Sequence, residues 1–178
     1  IAGSDSGGGA GIQADLKTFA AFGVYGTSAI VALTAQNTRE VTAIHEVPPE
    51  MVRAQIDAVM GDIGTDAAKT GMLASPALVE SVARAVRELS IPNLVVDPVM
   101  ISKGGASLLR EEAVATLRQL LLPLARVVTP NLPEAGALVG RRLTGLADMR
   151  RAARGIPALG PAAGGVQGGH AGGAPGGL

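Results

Sequence analysis

Residues Ile1 to Asp15 read Ile-Ala-Gly-Ser-Asp-Ser-Gly-Gly-Gly-Ala-Gly-Ile-Gln-Ala-Asp, and this stretch decides the fold. Four glycines fall between Gly7 and Gly11, after an apolar start and before Ile12, Leu16, Phe19 and Phe22, which recur at helical spacing. The pattern predicts a strand, a glycine turn and a helix. Glycine lets the backbone come close to a ligand, and a helix start offers N–H groups at the positive end of its dipole, so a polar or anionic group could sit there. An ordinary flexible loop would use glycine in the same way. The dinucleotide pattern Gly-x-Gly-x-x-Gly, which needs an acidic residue at the end of the second strand, fits poorly, and so does the Walker pattern, since the first Lys after these glycines is Lys17, already within the helix.

Outward from this start, strands alternate with helices. Gly23 marks the stop of the first helix, and Gly26 to Thr34 is an apolar run suited to a buried strand, ending in Ala35-Gln36-Asn37-Thr38. A helix is expected from near Pro49, with Val52, Ile56 and Val59 on one face. Another is expected from Ser75-Pro76, with Leu78, Val82, Val86 and Leu89 as its stripe. Ala67 to Met72 and Leu94 to Asp97 are strand candidates, followed by a helix over Glu111 to Leu122 and a strand at Arg126 to Thr129. Such alternation implies parallel strands with helical crossovers and ligand groups at the carboxyl ends of the strands. Gln36, Gly71, Asp97 and Asn131 all fall at such ends.

From Gly155 onward, 18 of the last 24 residues are Gly, Ala or Pro, a composition expected to bury too little apolar surface for a packed element. The reading therefore divides the chain into an α/β unit over 1–154 and a tail over 155–178, altered or poorly ordered. The lack of a starting Met implies a few residues ahead of Ile1.

Composition narrows the function. In 178 residues, 47% are hydrophobic and 17% charged, as in ordinary globular domains. Fifteen Lys and Arg balance fifteen Asp and Glu, and Phe19, Phe22 and Tyr25 are the only aromatics, so nucleic-acid binding is not expected. No cysteine is present, which excludes disulfides and cysteine metal sites in this sequence. No apolar run approaches the roughly 18 residues of a membrane span, and a cytoplasmic setting is expected. His45 and His170 have no partner at metal or triad spacing.

Taken whole, Ala-Gly-Ser-Asp-Ser-Gly-Gly-Gly-Ala-Gly-Ile-Gln-Ala-Asp-Leu-Lys-Thr-Phe resembles the opening signature of the hydroxymethylpyrimidine/phosphomethylpyrimidine kinases of thiamine biosynthesis, members of the ribokinase-like superfamily. The resemblance implies an α/β, ribokinase-like fold with a mostly parallel central sheet and helices on both faces. It implies ATP and Mg2+ as cofactors, hydroxymethylpyrimidine or its phosphate as substrate, and allows a homodimer. Gln36 takes the leading substrate role: its amide pairs one acceptor with two donors, matching the ring nitrogen and amine of an aminopyrimidine. Gly3, Asp15 and Met72 are candidates for the same pocket, although Asp15 also suits a solvated first-turn carboxylate. Asp97, in Val-Val-Asp-Pro-Val-Met, is placed either to meet a metal-bound phosphate or to make a plain Asp-Pro turn.

Thr129-Pro130-Asn131-Leu132-Pro133-Glu134 resembles the family's Thr-Pro-Asn-x-x-Glu motif. The resemblance gives Asn131 and Glu134 a part in positioning Mg2+ and phosphates, while the same spacing makes a helix cap. Lys103, in Ser-Lys-Gly-Gly, could close over phosphate or remain an exposed loop lysine. Asp97 and Glu134 are the expected metal carboxylates. Val166-Gln167-Gly168-Gly169-His170 has the outline of a family Val-Lys-Gly-Gly-His segment, with Gln167 at the Lys position and Gly164 and Gly165 where strand apolars are expected. The family's late Gly-Thr-Gly-Cys segment, its anion hole and base, has no counterpart in this sequence, so no catalytic residue is assigned. A pyridoxal or pyridoxamine kinase of the same superfamily, or a non-catalytic small-molecule-binding domain, are the alternative readings.

Overall fold

The computed structural model describes residues 1–100 and 111–168. Strand β1 (Ala2–Asp5) leads through the glycine loop to helix α1 (Gly11–Ala21), then β2 (Ile30–Gln36) and β3 (Val41–Glu46). Helix α2 (Pro49–Asp62), β4 (Ala68–Thr70), α3 (Pro76–Glu88) and β5 (Leu94–Val96) follow. Helix α4 (Glu111–Thr116), β6 (Val127–Val128), α5 (Leu132–Val139), α6 (Leu146–Gly155) and β7 (Ala163–Gly164) complete the order.

The strands form two ladders, β1-β2-β3 and β4-β5-β6-β7. Ile1 N donates to Lys69 O at 2.9 Å and Gly71 N to Ile1 O at 3.0 Å. That alternation about Thr70 is the bonding of a parallel pair, so the ladders join in the order β3-β2-β1-β4-β5-β6-β7. Among the described strands only the β2–β3 pair is antiparallel. Six of the described strands therefore point their carboxyl ends to one edge, as the alternation of elements predicts.

One face of the sheet carries the main core. Leu78, Val79, Val82 and Val86 of α3 pack with Val52 and Ile56 of α2 against Val31, Leu94, Val96 and Val128. Leu94 and Val96 point into this core, so Lys69 and Val95, out of phase with them, face the other side. There Lys69 meets Asp15 of α1, which places helices on both faces. The Ser75-Pro76 start, the stripe of α3 and the start of α2 at Pro49 appear as predicted.

Several elements differ from the sequence reading, among them α6 (Leu146–Gly155), which it did not anticipate. Strand β2 begins at Ile30 rather than Gly26, because ladder pairing with β1 starts at Ala2 opposite Ile30. Strand β3 was not expected; Ile44 is 44% exposed there, so no buried face marks it in the sequence. The helix predicted over Glu111 to Leu122 widens from α at Thr116 to a π turn over Leu117–Leu121 and then tightens to a 3-10 turn over Leu122–Leu124. Pro123 has no N–H with which to continue the α ladder.

The Gly/Ala/Pro-rich stretch is anchored by Ile156 and hydrogen-bonded as far as Gln167, with most of its residues exposed, so Gly155 is not an edge of the packing. Ile156 is fully buried in the main core. Strand β7 pairs in parallel with β6, and Gly165 N and Gln167 N extend the bonding to Val128 O and Pro130 O, both at 2.8 Å. Gly164 is not a degraded apolar position: a Cβ there would lie 2.7 Å from Ile156 Cγ2. Backbone pairing and one isoleucine do what a strand of apolar side chains was expected to do. His170 lies outside the described residues.

Thr70, fully buried at the end of β4, has a hydroxyl with no hydrogen-bond partner among the described residues. An unsatisfied buried hydroxyl costs about 1–3 kcal/mol. Thr70→Val, which keeps the shape, is expected to gain about 1 kcal/mol and to raise the melting temperature by about 2–4 °C. A lower melting temperature would mean that the hydroxyl is satisfied in solution.

Candidate active site

The glycine loop is built around Asp5, which the sequence reading did not single out. Asp5 is 5% exposed. Its Oδ1 accepts from Gly7 N at 2.8 Å, and its Oδ2 accepts from Gly9 N at 2.9 Å and Ala10 N at 2.8 Å. These loop donors, which the sequence reading offered to an external anion, are held by the chain's own carboxylate. The signal was present, since an Asp two residues before a glycine commonly turns its side chain back onto the following backbone. Gly11 closes the loop with φ +55°, and a Cβ there would lie 2.2 Å from Gly3 O, so only glycine fits.

Ser6 fastens this loop to the end of β2. Its hydroxyl donates to Gln36 O at 2.7 Å and accepts from Gln36 N at 2.8 Å. The Gln36 backbone is thereby fixed while its side chain stays available. Gln36 Oε1 lies 3.3 Å from Thr34 Oγ1, whose shorter contact, 2.8 Å, goes to Ser4 O. One hydroxyl hydrogen serves Ser4 O first, and the Gln36 amide NH2 has no partner among the described residues. Gly3 and Met72 are both buried and adjoin: a Cβ on Gly3 would come 3.0 Å from Met72 Cε. The small residue makes room for the thioether at the β1 and β4 ends.

Asp15 belongs to a different constellation. Lys69 Nζ donates to Asp15 Oδ1 at 2.7 Å and lies 3.5 Å from Asp97 Oδ2. The sequence reading missed Lys69, although a charge inside a short strand otherwise bound for the interior demands a partner. Burial pushes the Asp97 carboxyl above the usual range, the Lys69 ammonium opposes this, and the Asp15 charge adds to it. The sign follows. A carboxyl raised in the folded state costs stability as pH climbs from its ordinary value through the raised one, and the cost persists above. Asp97→Asn is therefore expected to leave stability at neutral pH unchanged or up to about 1 kcal/mol higher, Lys69 keeping Asp15 as its partner. A melt showing a loss of several degrees would mark Asp97 as a structural anion instead.

Asn131 and Glu134 form the helix cap that their spacing allows. Asn131 Oδ1 accepts from Glu134 N at 3.0 Å, and Glu134 Oε2 accepts from Asn131 N at 2.9 Å. Glu134, 4% exposed, also accepts from Met100 N through Oε1 at 3.3 Å, tying α5 to the segment after β5. Gln167 adds a strap across this end: it bridges to Asn131, and its Nε2 donates to Thr129 O at 2.8 Å. Lys103 lies outside the described residues.

Among the described residues no three His, Cys, Asp or Glu side chains gather as a metal cage. Mg2+ asks for less, usually one or two carboxylates with waters and substrate phosphates completing the shell. Asp97 fits, being partly desolvated and, among the described residues, engaged only by a 3.5 Å ammonium contact. Both Glu134 oxygens already accept backbone N–H groups. A cleft of about 530 Å3 opens at the opposite ends of the strands, lined by Ile12, Leu16 and Phe19 of α1 with Ile56 and Val59 of α2. Asp15 and Lys69 also line this cleft, whereas Gln36, Asp97, Asn131 and Glu134 do not.

The strand order, the glycine turn between β1 and α1, and the polar groups at the carboxyl edge define a ribokinase-like α/β kinase fold. A sequence profile described as phosphomethylpyrimidine kinase matches residues 5–176. The chain belongs to the phosphomethylpyrimidine kinase family. It is 54% identical over 160 residues to hydroxymethylpyrimidine/phosphomethylpyrimidine kinase of Bacillus subtilis (strain 168), covering 90% of this chain and 59% of that protein. The crystal structure of phosphomethylpyrimidine kinase from Clostridium difficile 630 superposes with a TM-score of 0.89 at 46% identity, over 97% of this chain and 74% of the other. A pyridoxal kinase from Bacillus subtilis, solved as an ADP complex, gives 0.87 at 42% identity, over 96% and 65%. No helix among the described residues is long and apolar enough to cross a membrane.

Proposed function

We propose that this chain provides the substrate and nucleotide-binding part of an ATP- and Mg2+-dependent kinase acting on 4-amino-5-hydroxymethyl-2-methylpyrimidine and its monophosphate. The observation that carries the reading is Gln36, held through its backbone by Ser6 beside the glycine loop, with its amide NH2 lacking a partner among the described residues. Such an amide can donate to the ring nitrogen and accept from the exocyclic amine of an aminopyrimidine. Gly3 and Met72 shape the adjoining wall, with Asp15 further along α1.

Asp97 and Asn131, with Glu134 and Lys103, are assigned to the nucleotide side, Asp97 and Glu134 toward the metal. Both Glu134 oxygens are engaged, so its part is to reach the cation through water while holding Asn131 in place. When bound, Mg2+ neutralises phosphate charge. The residues here bind and align, which is most of what phosphoryl transfer asks of a protein. The chemical step itself is assigned to none of the described residues. A cytoplasmic setting, expected from the lack of a membrane-length apolar run, completes the reading, and the family resemblance allows a homodimer.

A pyridoxal kinase is the second reading, favoured by structural neighbours that include a Staphylococcus aureus pyridoxal kinase bound to pyridoxal, at 36% identity. Calorimetry of the chain with the pyrimidine, with pyridoxal and with AMP-PCP plus Mg2+ separates the two. Tighter binding of the pyrimidine together with nucleotide binding is expected. Preference for pyridoxal would support the second reading, and heat from the pyrimidine alone would indicate a binding domain without a nucleotide site.

A further inference from the structure

Among the described residues Lys69 is the one in contact with carboxylates from both halves of the site, and the family resemblance assigned it nothing. Its ammonium makes a short pair with Asp15 on α1, at 2.7 Å, and a looser one with Asp97 at the end of β5, at 3.5 Å. All three side chains are half-buried, between 21% and 29% exposed, so the charges are only partly screened by solvent. Two carboxylates share one ammonium, leaving a net negative charge at the sheet edge. The looser contact is the one that yields when a second cation competes.

We propose that Lys69 is a positioning residue that couples the two subsites by acting as the resident counter-ion of Asp97, displaced toward Asp15 when a divalent cation arrives. The inference rests on the nucleotide-side assignment of Asp97. Without a competing cation, Lys69 holds both carboxylates in place and offsets their repulsion. A divalent cation at Asp97 repels the ammonium and takes over that carboxylate. Lys69 then belongs to Asp15 alone, which fixes α1 against β4 beside the adjoining Gly3 and Met72. Metal arrival thereby sets the α1 side of the substrate pocket without any contact between metal and substrate.

The probe is Mn2+ alone, titrated into the 178-residue chain and read by water-proton relaxation. Lys69→Met removes the competing charge and keeps most of the apolar stem, so Mn2+ should bind about fivefold more tightly, the scale of one partly exposed ion pair. Lys69→Arg keeps the charge and should bind Mn2+ as the parent does. Adding Asp97→Asn to Lys69→Met should abolish the gain. If Lys69→Met proves unfolded by circular dichroism, Asp15→Asn decides: it surrenders the ammonium wholly to Asp97 and should weaken Mn2+ about threefold. Equal Mn2+ affinity in the parent and in whichever variant folds would overturn the proposal, as would a gain that survives Asp97→Asn. Calorimetry of the parent with the pyrimidine runs alongside. Silence there would reject the substrate reading while leaving the Mn2+ comparison to decide on Lys69.

Discussion

Asp5→Asn is expected to destabilise the chain by about 3–5 kcal/mol. The carboxylate, itself almost fully buried, accepts three backbone N–H groups from Gly7, Gly9 and Ala10 in a loop that is otherwise exposed or half-buried. Hydrogen bonds to a charged acceptor contribute about 1.5–3 kcal/mol each, and a buried donor left without an acceptor carries its own desolvation cost. An asparagine has one oxygen to serve three donors, and its NH2 would face at least one of them. At about 2–4 °C per kcal/mol for a chain of this size, the melting temperature should fall by about 10 °C or more. Loss of the loop should also release Ser6 from Gln36, so pyrimidine affinity should fall in the same variant. A melt within about 1 °C of the parent would show that the loop holds its shape without the charge.

The parts of this structure legible in the sequence are those with a local pattern. The stripe of α3, the Ser75-Pro76 start and the glycine turn each follow from spacing or from one residue's backbone preference, and each appears where expected. The strand ends gathered at one edge followed from the alternation of elements. What stayed hidden depends on partners distant in sequence. Asp5 looked like one loop residue among others until the loop was seen folded onto it. Lys69 acquires meaning only through Asp15, 54 positions away. The 156–168 segment looked too poor in apolar residues to pack, yet β6 supplies its hydrogen bonds and Ile156 its anchor. For Asn131 and Glu134 the sequence allowed both a cap and a metal role, and the cap is the one that the geometry displays.

The central claim is that Gln36 reads the edge of an aminopyrimidine. Its backbone is fixed by Ser6, so replacing its side chain should leave the loop in place and remove only the recognising amide. A polar edge left unmatched in a binding site costs about 1–3 kcal/mol, which is about 10- to 100-fold in affinity. The direct measurement is calorimetry of the parent and of Gln36→Ala with 4-amino-5-hydroxymethyl-2-methylpyrimidine, and in parallel with AMP-PCP and Mg2+. The account predicts a loss of that size for the pyrimidine and an unchanged nucleotide affinity. Equal losses for both ligands, or an unchanged pyrimidine affinity, would contradict it.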